Sequence, residues 1–168
     1  LARRGAELTV LPWDADPAEV PHDGLVLSNG PGDPTMAART IEHLRGALRR
    51  DTPIFGICMG NQLLALAAGG STFRLRYGHR GQNQPAIESA TQRCHITSQN
   101  HGYAVDARTL PDDWEVWFLN ANDGTVEGIK HRTKPFSAVQ FHPEAACGPV
   151  DTGYLFDRFL DQVKEARR

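Results

Sequence analysis

In the first part of the chain, short apolar runs alternate with segments of helical periodicity. The runs Gly24–Ser28 and Ile54–Ile57 are apolar at their centres, as in strands that are covered on both faces. Between them, apolar side chains recur at helical spacing over residues 33–50, which begin with an aspartate N-cap and a first-turn proline. An alanine- and leucine-rich segment, Gln62–Ala68, predicts the next helix. This alternation predicts a parallel sheet with helices on its faces.

From residue 71 to residue 140, the pattern changes to short strands separated by Gly, Asn, Asp and Pro. Such strands pair in antiparallel or mixed fashion, and Asn122-Asp123-Gly124 predicts a hairpin turn. A last helix with one apolar face follows Asp151, its predicted N-cap. The fold class is therefore α/β, with a central, mostly parallel sheet flanked by helices and an added mixed or antiparallel portion. The other predicted strands are Glu7–Leu11, Thr72–Tyr77, Arg93–Ser98, Glu115–Leu119, Val126–Lys130 and Phe136–Phe141.

Length and composition indicate one ordinary globular domain over residues 1–168, with 40% hydrophobic and 23% charged residues. A net charge of −2 gives no general attraction to nucleic acid or to an anionic membrane, so we expect neither partner. No apolar run reaches membrane-spanning length, and the start lacks a secretory signal. Leu1–Gly5 reads as the last turn of a helix closed by glycine, so we expect a domain truncated at its N-terminus.

The cysteines are three in number, far apart in the chain and in no C-x-x-C pair. This distribution argues against a disulfide framework and against a thiolate zinc site, so no metal is expected and a reducing, cytoplasmic location is predicted. The three are Cys58, Cys94 and Cys147.

Cys58 has the most informative surroundings of the three. It stands between Gly56 and Gly60, after a buried strand and before a helix, which is the arrangement of a nucleophile elbow. The N–H groups and dipole of the following helix would stabilise negative charge at the sulfur and on an oxyanion formed beside it. The alternative is an inert core cysteine at the end of a strand.

A cysteine nucleophile needs a base, and that base needs an orienting group. His142 follows directly on a predicted strand, and in a parallel sheet it would lie at the same edge as Cys58. Pro143 restricts the backbone of His142 to extended geometry, and Glu144 can approach the second ring nitrogen. The alternative is a surface histidine beside a solvated glutamate.

Gly30 and Gly32 follow the end of another predicted strand, in Ser28-Asn29-Gly30-Pro31-Gly32-Asp33-Pro34. Glycines at such a place allow backbone N–H groups to approach a ligand or an oxyanion, although a simple structural turn is the alternative. The lysine and spacing of a phosphate-binding loop are absent.

These motifs resemble those of the class I (triad) glutamine amidotransferases, which have a flavodoxin-like fold. The resemblance rests on Gly56–Gly60 and on Phe141–Glu144, and it extends over nearly the whole chain. Five further stretches resemble the glutaminase domain of carbamoyl-phosphate synthetase. They are Leu27–Pro34, Arg80–Pro85, Thr97–Tyr103, Asn120–Gly124 and Gly148–Asp151.

The resemblance implies that Cys58 is the nucleophile, His142 the base and Glu144 its orienting partner. It also implies a glutamine pocket in which backbone groups of Gly32 and Met59 donate to the oxyanion. That pocket consists of Gly30, Gly32, Met59, Gln62, Asn100, Gly102 and Tyr103. Two features depart from the family. Asn61 replaces a more usual histidine. By the same resemblance, we expect the amino-terminal domain and the first strand, with a serine that helps hold glutamine, to be absent from this sequence.

The implied activity is hydrolysis of L-glutamine to glutamate and ammonia, without a cofactor in this domain. The ammonia would pass to a large synthetase subunit or fused domain that uses ATP and magnesium to make carbamoyl phosphate for pyrimidines or arginine. Two alternatives remain. One is a γ-glutamyl hydrolase or cysteine peptidase on the same scaffold, and the other is a glutamine-binding or regulatory domain with little turnover. If His142 were not the base, His101 would be the next candidate.

Overall fold

The fold is that of a computed structural model, which describes residues 1–146 and 149–167. Cys147 lies outside these residues, as does Gly148, the first residue of the motif Gly148–Asp151. The helices are α1 (Ala38–Ala47), α2 (Met59–Ala68) and α3 (Tyr154–Ala166). The strands are β1 (Leu25–Leu27), β2 (Ile54–Ile57), β3 (Thr72–Glu88), β4 (Cys94–Val105), β5 (Trp114–Asn120), β6 (Val126–His131) and β7 (Phe136–Val139).

The seven strands form one mixed sheet in the order β1-β2-β7-β6-β5-β3-β4. β1, β2 and β7 are parallel, and the remaining neighbours are antiparallel. The α/β class is confirmed, with three parallel strands at one end of the sheet and an antiparallel portion that extends the other. The predicted hairpin at Asn122–Gly124 is also confirmed, because it joins the antiparallel strands β5 and β6.

Helices cover both faces of the parallel part because successive side chains of β2 point to opposite sides. Ile54 packs in a cluster with residues of α2, whereas Phe55 packs in a second cluster with Phe156 and Phe159 of α3. The apolar residues of α1 meet α2 in a third cluster. The molecule thus has three layers, and the continuous apolar run of β2 reflects burial on both faces.

Three local predictions differ from the structure. Glu7–Leu11 is not a strand: Val10 is 91% exposed, and within the described sheet β1 pairs only with β2, so this segment has no strand beside it. Asp151 is not the N-cap of α3, which starts after Gly153, and its carboxylate instead accepts a bond from Ile96 N–H at 3.4 Å. Asp33 caps a 3-10 turn at Pro34–Met36 that precedes α1.

The antiparallel strands β3 and β4 are longer than predicted, since β3 runs through Gly and Asn positions that the sequence pattern assigns to loops. Register shifts between these two strands accommodate those residues. At the start of the chain, Gly5 ends a short 3-10 turn with a φ of 84°, as the glycine there predicts. None of the described helices is both long and apolar enough to cross a lipid bilayer.

Candidate active site

Cys58 forms the entire connection between β2, which ends at Ile57, and α2, which begins at Met59. Its backbone has a φ of 53° and a ψ of −102°, values that a residue with a side chain seldom adopts. Its N–H donates to the Val139 carbonyl of β7 at 2.8 Å, which fixes the turn against the neighbouring strand. The side chain is buried, with the residue 5% exposed. The predicted strand-turn-helix setting is confirmed.

The two glycines that flank this turn are required by close packing. A Cβ atom at Gly56 would lie 2.7 Å from the backbone carbonyl of Gly60, and one at Gly60 would lie 2.7 Å from the Cβ of Leu27. Both distances are shorter than real carbon contacts. The absence of side chains therefore lets α2 start directly against β1 and β2.

His142 and Glu144 form a bonded pair beyond the end of β7. The ring Nδ1 donates to the Glu144 carboxylate at 2.8 Å, and the His142 backbone N–H donates to the Ser98 carbonyl at 2.9 Å. The His142 side chain is 15% exposed and the Glu144 side chain 43% exposed. The carboxylate thus orients the imidazole, the backbone of His142 is fixed to β4, and the carboxylate remains partly exposed.

The Cys58 thiol and the His142 ring are close enough to interact, although they are 84 positions apart in the chain. They meet because β2 and β7 are parallel neighbours, with Ile57 opposite Val139. Interaction with the Cys58 sulfur, followed by the hydrogen bond to Glu144, raises the pKa of His142 to about 10. Burial acts to raise the pKa of Glu144, but its bond to His142 holds that pKa below its ordinary value. At neutral pH the His142 ring is therefore an imidazolium that lies between the Cys58 sulfur and the Glu144 carboxylate.

Gln140 is a buried residue of the site that sequence analysis missed. Its Oε1 accepts bonds from Asn61 Nδ2 at 3.2 Å and from Gln62 Nε2 at 3.1 Å. Both donors belong to the first turn of α2, so Gln140 ties the helix behind Cys58 to the segment that carries His142. An amide in an otherwise apolar run, two positions before a candidate base, is a signal that would have found it.

The same hydrogen bond holds the side chain of Asn61 inside the protein. Its side chain is buried and points to Gln140, away from solvent. The departure from the family's usual histidine therefore affects the packing behind the elbow.

The predicted glutamine pocket divides between three parts of the fold. Gly30 and Gly32 lie in the loop after β1, and a Cβ at Gly30 would touch the Met59 side chain at 3.4 Å. Tyr103 Oη on β4 donates to the Asp33 carboxylate at 3.2 Å and so holds β4 to that loop. Two other predicted members, Asn100 and Gly102, lie on β4 beside Tyr103. Gln62 of α2 reaches the same strand, because its Nε2 donates to the Tyr103 carbonyl at 3.0 Å. Their contact with a substrate stays a prediction.

A second polar cluster lies on the antiparallel strands. Glu127 is fully buried, and its Oε1 accepts from His79 Nδ1 at 3.1 Å. This bond is the main reason that the pKa of His79 rises to about 9. Burial works to raise the pKa of Glu127, but the nearby His101 ring, with Nε2 at 3.7 Å, and then the bond from His79 lower it. His101 faces Tyr103 O and Gln99 Oε1, so its ring nitrogens are directed to partners other than Cys58.

Sequence comparisons agree with the motifs that surround these residues. The model of the family "Glutamine amidotransferase class-I" matches residues 1–162. The carbamoyl phosphate synthase arginine-specific small chain of Aspergillus oryzae is 55% identical over 168 residues, and the alignment covers 98% of this chain and 37% of that protein. Multifunctional protein pyr-3 of Neurospora crassa is 56% identical over 162 residues, which cover 96% of this chain and 9% of that protein. The chain thus spans little more than a third of the small chains that it matches.

Solved structures show the same architecture. A GMP synthase subunit from Thermoplasma acidophilum superposes with a TM-score of 0.79 at 27% identity, and the match covers 95% of this chain and 82% of that one. A glutamine amidotransferase of Thermotoga maritima superposes with a TM-score of 0.62 at 16% identity, over 99% of this chain and 71% of that one. At such low identity, the second likeness shows the fold alone.

Proposed function

Because the chain belongs to the class I glutamine amidotransferase family, we propose that it is the glutamine-hydrolysing portion of a carbamoyl-phosphate synthase. It would convert L-glutamine to glutamate and ammonia through a covalent thioester on Cys58. The similarity to carbamoyl phosphate synthase small chains over nearly the whole of this chain supports the choice among amidotransferase activities.

The observation that carries the proposal is the meeting of Cys58, His142 and Glu144 at one edge of the sheet. The thiol stands at the N-terminus of α2, and the imidazole beside it is oriented by a carboxylate at 2.8 Å. A nucleophile, a base and an orienting group in this order are the parts that acyl transfer requires. The strained backbone at Cys58 holds the sulfur at the tip of a tight turn.

In the proposed mechanism, the Cys58 thiolate attacks the carboxamide carbon of glutamine while His142 holds the proton. N–H groups at the start of α2, with Gly32 in the neighbouring loop, donate to the oxyanion of the tetrahedral intermediate, each worth about 3 kcal/mol. The C–N bond then breaks as His142 gives its proton to the leaving ammonia. His142 next takes a proton from water, and the resulting hydroxide attacks the thioester. The C–S bond breaks, glutamate leaves, and the Cys58 thiolate beside the protonated His142 is restored.

Resemblance to the small chains supports a synthetase partner, either a separate subunit or the rest of a fused polypeptide. Such a partner would receive the ammonia within the complex and combine it with bicarbonate by using ATP and magnesium. The glutaminase portion itself needs no metal or cofactor for the steps above, since every proton transfer is assigned to His142.

Glutamate release from L-glutamine by the wild type and by Cys58→Ala, each with and without a synthetase partner, tests the proposal. We expect Cys58→Ala to lose activity by roughly 10⁴-fold or more, because the nucleophile of a triad acts as a unit with its base. Cys94→Ala is the matched control, since Cys94 is an exposed cysteine outside the triad and its loss should leave turnover unchanged. A covalent glutamyl adduct on the wild-type chain, detected by mass spectrometry, would identify the thioester directly.

Two outcomes would count against the proposal. Activity that survives in Cys58→Ala would remove the nucleophile. If the wild type releases no glutamate and forms no adduct under any condition, the chain is a binding domain that does not turn glutamine over. Hydrolysis of γ-glutamyl peptides in preference to glutamine would instead favour a γ-glutamyl hydrolase.

A further inference from the structure

Three side chains with metal-ligating atoms converge away from the triad. His79 of β3, His101 of β4 and Glu127 of β6 each bring one nitrogen or oxygen into a group whose atoms lie within 4.8 Å of one another. Their side chains are 13%, 2% and 0% exposed. The three strands are parts of one sheet, so these residues are held by a rigid framework rather than by a loop.

The distances within this group suit a single small cation. His79 Nδ1 lies 3.1 Å and His101 Nε2 3.7 Å from Glu127 Oε1. Bonds of about 2.0–2.2 Å that meet at tetrahedral angles separate zinc ligands by roughly 3.3 Å. These two spacings lie on either side of that value, and all three ligand atoms lie within 4.8 Å of one another. Side-chain movements that draw the two imidazoles together would therefore bring all three donors into one coordination sphere.

The two remaining ring nitrogens are bonded as in histidines that bind metals. His79 Nε2 faces the Asp123 carboxylate at 2.9 Å, and His101 Nδ1 faces the Tyr103 carbonyl at 2.9 Å. Metal-ligating histidines almost always donate their second N–H to a carboxylate or a backbone carbonyl, which fixes the tautomer and the ring orientation. Here these bonds direct His79 Nδ1 and His101 Nε2 toward Glu127.

The two oxygens of the Glu127 carboxylate differ in their hydrogen bonding. Oε1 takes bonds from His79 Nδ1 and from Asn120 Nδ2, the latter at 3.1 Å. Among the described residues, Oε2 is buried and has no hydrogen-bond partner. An unpartnered buried carboxylate oxygen is costly, and a cation beside the carboxylate would satisfy it. The competing contact is Gln99 Oε1, which lies 3.2 Å from His101 Nε2.

We propose that His79 Nδ1, His101 Nε2 and Glu127 form a binding site for one divalent transition-metal ion of the zinc type. Two imidazoles and one carboxylate are a ligand set that such ions take in proteins, with a fourth position left for water. A bound ion would replace the proton that His79 shares with Glu127. The site contains no residue of the triad, and its action would be to join β3 and β6 to β4, the strand that carries Tyr103. It does not depend on the proposed glutaminase activity.

Cobalt binding tests this site, because Co²⁺ follows the same ligand preferences as Zn²⁺ and gives a visible absorption spectrum. The experiment uses the full chain with Cys58→Ala, so that the thiol of the triad cannot bind the ion. After treatment with a chelator and dialysis, the protein is titrated with Co²⁺, and metal content per chain is measured by mass spectrometry. We expect one cobalt per chain with a spectrum of nitrogen and oxygen ligands.

Three substitutions in this background locate the ion. Glu127→Gln and His79→Asn should abolish the spectrum, and Asp123→Asn, which changes only the group that orients His79, should weaken binding by roughly 10- to 100-fold. Asp123 lies in an exposed turn where asparagine can keep the bond to Thr125 N–H, so this variant should fold even if a buried substitution does not. His22→Gln, at an exposed histidine outside the cluster, is the matched control and should bind as the background does.

The proposal is overturned if the background protein takes up less than one equivalent at stoichiometric concentrations. It is also overturned if Glu127→Gln, shown to be folded by circular dichroism, binds cobalt as tightly as the background, or if Asp123→Asn has unchanged affinity.

Discussion

Two neighbours keep His142 charged well above neutral pH. Cys58 has the larger effect and Glu144 the second, and together they raise the pKa of His142 to about 10 from an ordinary value of 6.5. A raised pKa means that the pairing stabilises the fold fully below pH 6.5 and that this contribution is lost as pH rises through about 10. The proton that the proposed mechanism delivers to ammonia is therefore present over the whole neutral range.

Replacing Glu144 by glutamine should shift the alkaline limit of activity. The change removes the negative charge next to Nδ1 while it keeps the shape of the side chain, so the pKa of His142 should fall. In a pH profile of kcat/KM for glutamine hydrolysis, we expect the alkaline limb to move from near pH 10 to lower pH, with a rate loss of about 10²-fold at the optimum. Glu115→Gln, whose partners are Lys130 and Arg132, is the control and should leave the limb in place. An unshifted limb in Glu144→Gln would show that Glu144 does not influence the ring.

Substitution of the buried Gln140 should destabilise the fold much more than substitution of an exposed glutamine. Gln140→Leu would leave the Asn61 amide without its bond and Gln62 with one bond in place of two, in a buried setting. We expect the free energy of unfolding to drop by about 1–3 kcal/mol in urea titrations. Gln82→Leu, at an exposed glutamine, should change it by no more than about 0.5 kcal/mol. Equal effects of the two substitutions would contradict the role assigned to the buried amide.

The turn at Cys58 depends on how closely α2 approaches β1 and β2. Gly60 is a helical residue, yet a Cβ there would meet Leu27 at 2.7 Å. The same substitution at Gly46 in α1 would meet nothing within 4 Å. The two glycines thus lie in helices of equal length but have opposite packing environments.

Gly60→Ala and Gly46→Ala should therefore change stability in opposite directions. We expect Gly60→Ala to destabilise the protein by roughly 1–3 kcal/mol through overpacking and to reduce glutamine hydrolysis by displacing Cys58. Gly46→Ala should stabilise it by about 0.5–1 kcal/mol, because alanine loses less backbone entropy in a helix. Urea unfolding measures both. A Gly60→Ala variant as stable and as active as the wild type would mean that the close approach is not needed.

The last helix, α3, covers the face of the sheet opposite α1 and α2. Phe159 stacks on Phe55 of β2 with ring centroids 5.9 Å apart, and Phe156 meets the same ring edge-on at 5.9 Å. Phe55 lies three positions before Cys58, so the helix at the end of the chain supports the strand that presents the nucleophile.

Phe159→Ala should destabilise the whole domain. Removal of a buried aromatic ring leaves a cavity beside β2, and we expect a loss of about 3–5 kcal/mol in the free energy of unfolding. Asp161→Ala, on the solvent side of the same helix, is the control and should have a small effect. A small effect of Phe159→Ala would show that α3 is dispensable for the core and would contradict the claim that α3 stabilises β2.

The pattern of apolar residues was sufficient for much of the fold because each signal was local. Gly56, Cys58 and Gly60 predicted a tight strand-turn-helix, and the continuous apolar run Ile54–Ile57 is buried at every position, as a strand covered on both faces requires. The run Leu25–Leu27 is also a parallel strand, but it is only partly buried because it lies at the edge of the sheet, so the prediction that it is covered on both faces was wrong. The class I amidotransferase resemblance, carried by motifs at Cys58 and His142, is confirmed by the family match. In these cases the physical cause acts within a few residues.

The strand predicted at Glu7–Leu11 failed for the opposite reason. Its alternation of residues is suited to a strand, but a strand exists only when another backbone satisfies its N–H and C=O groups, and within the described sheet none lies beside it. The full lengths of β3 and β4 were likewise set by their mutual pairing, which carries glycine positions that a local pattern assigns to loops.

Local signals in the sequence were enough to predict the helices, the parallel strands and the candidate roles of Cys58, His142 and Glu144. The bonds by which Gln140 joins the helix behind Cys58 to the segment of His142, and the convergence of His79, His101 and Glu127, became visible only in the folded chain. Both outcomes depend on strand order and register, which pair residues far apart in the chain. Local propensity contains no information about which distant strands become neighbours, because that choice is made by the burial of the whole core.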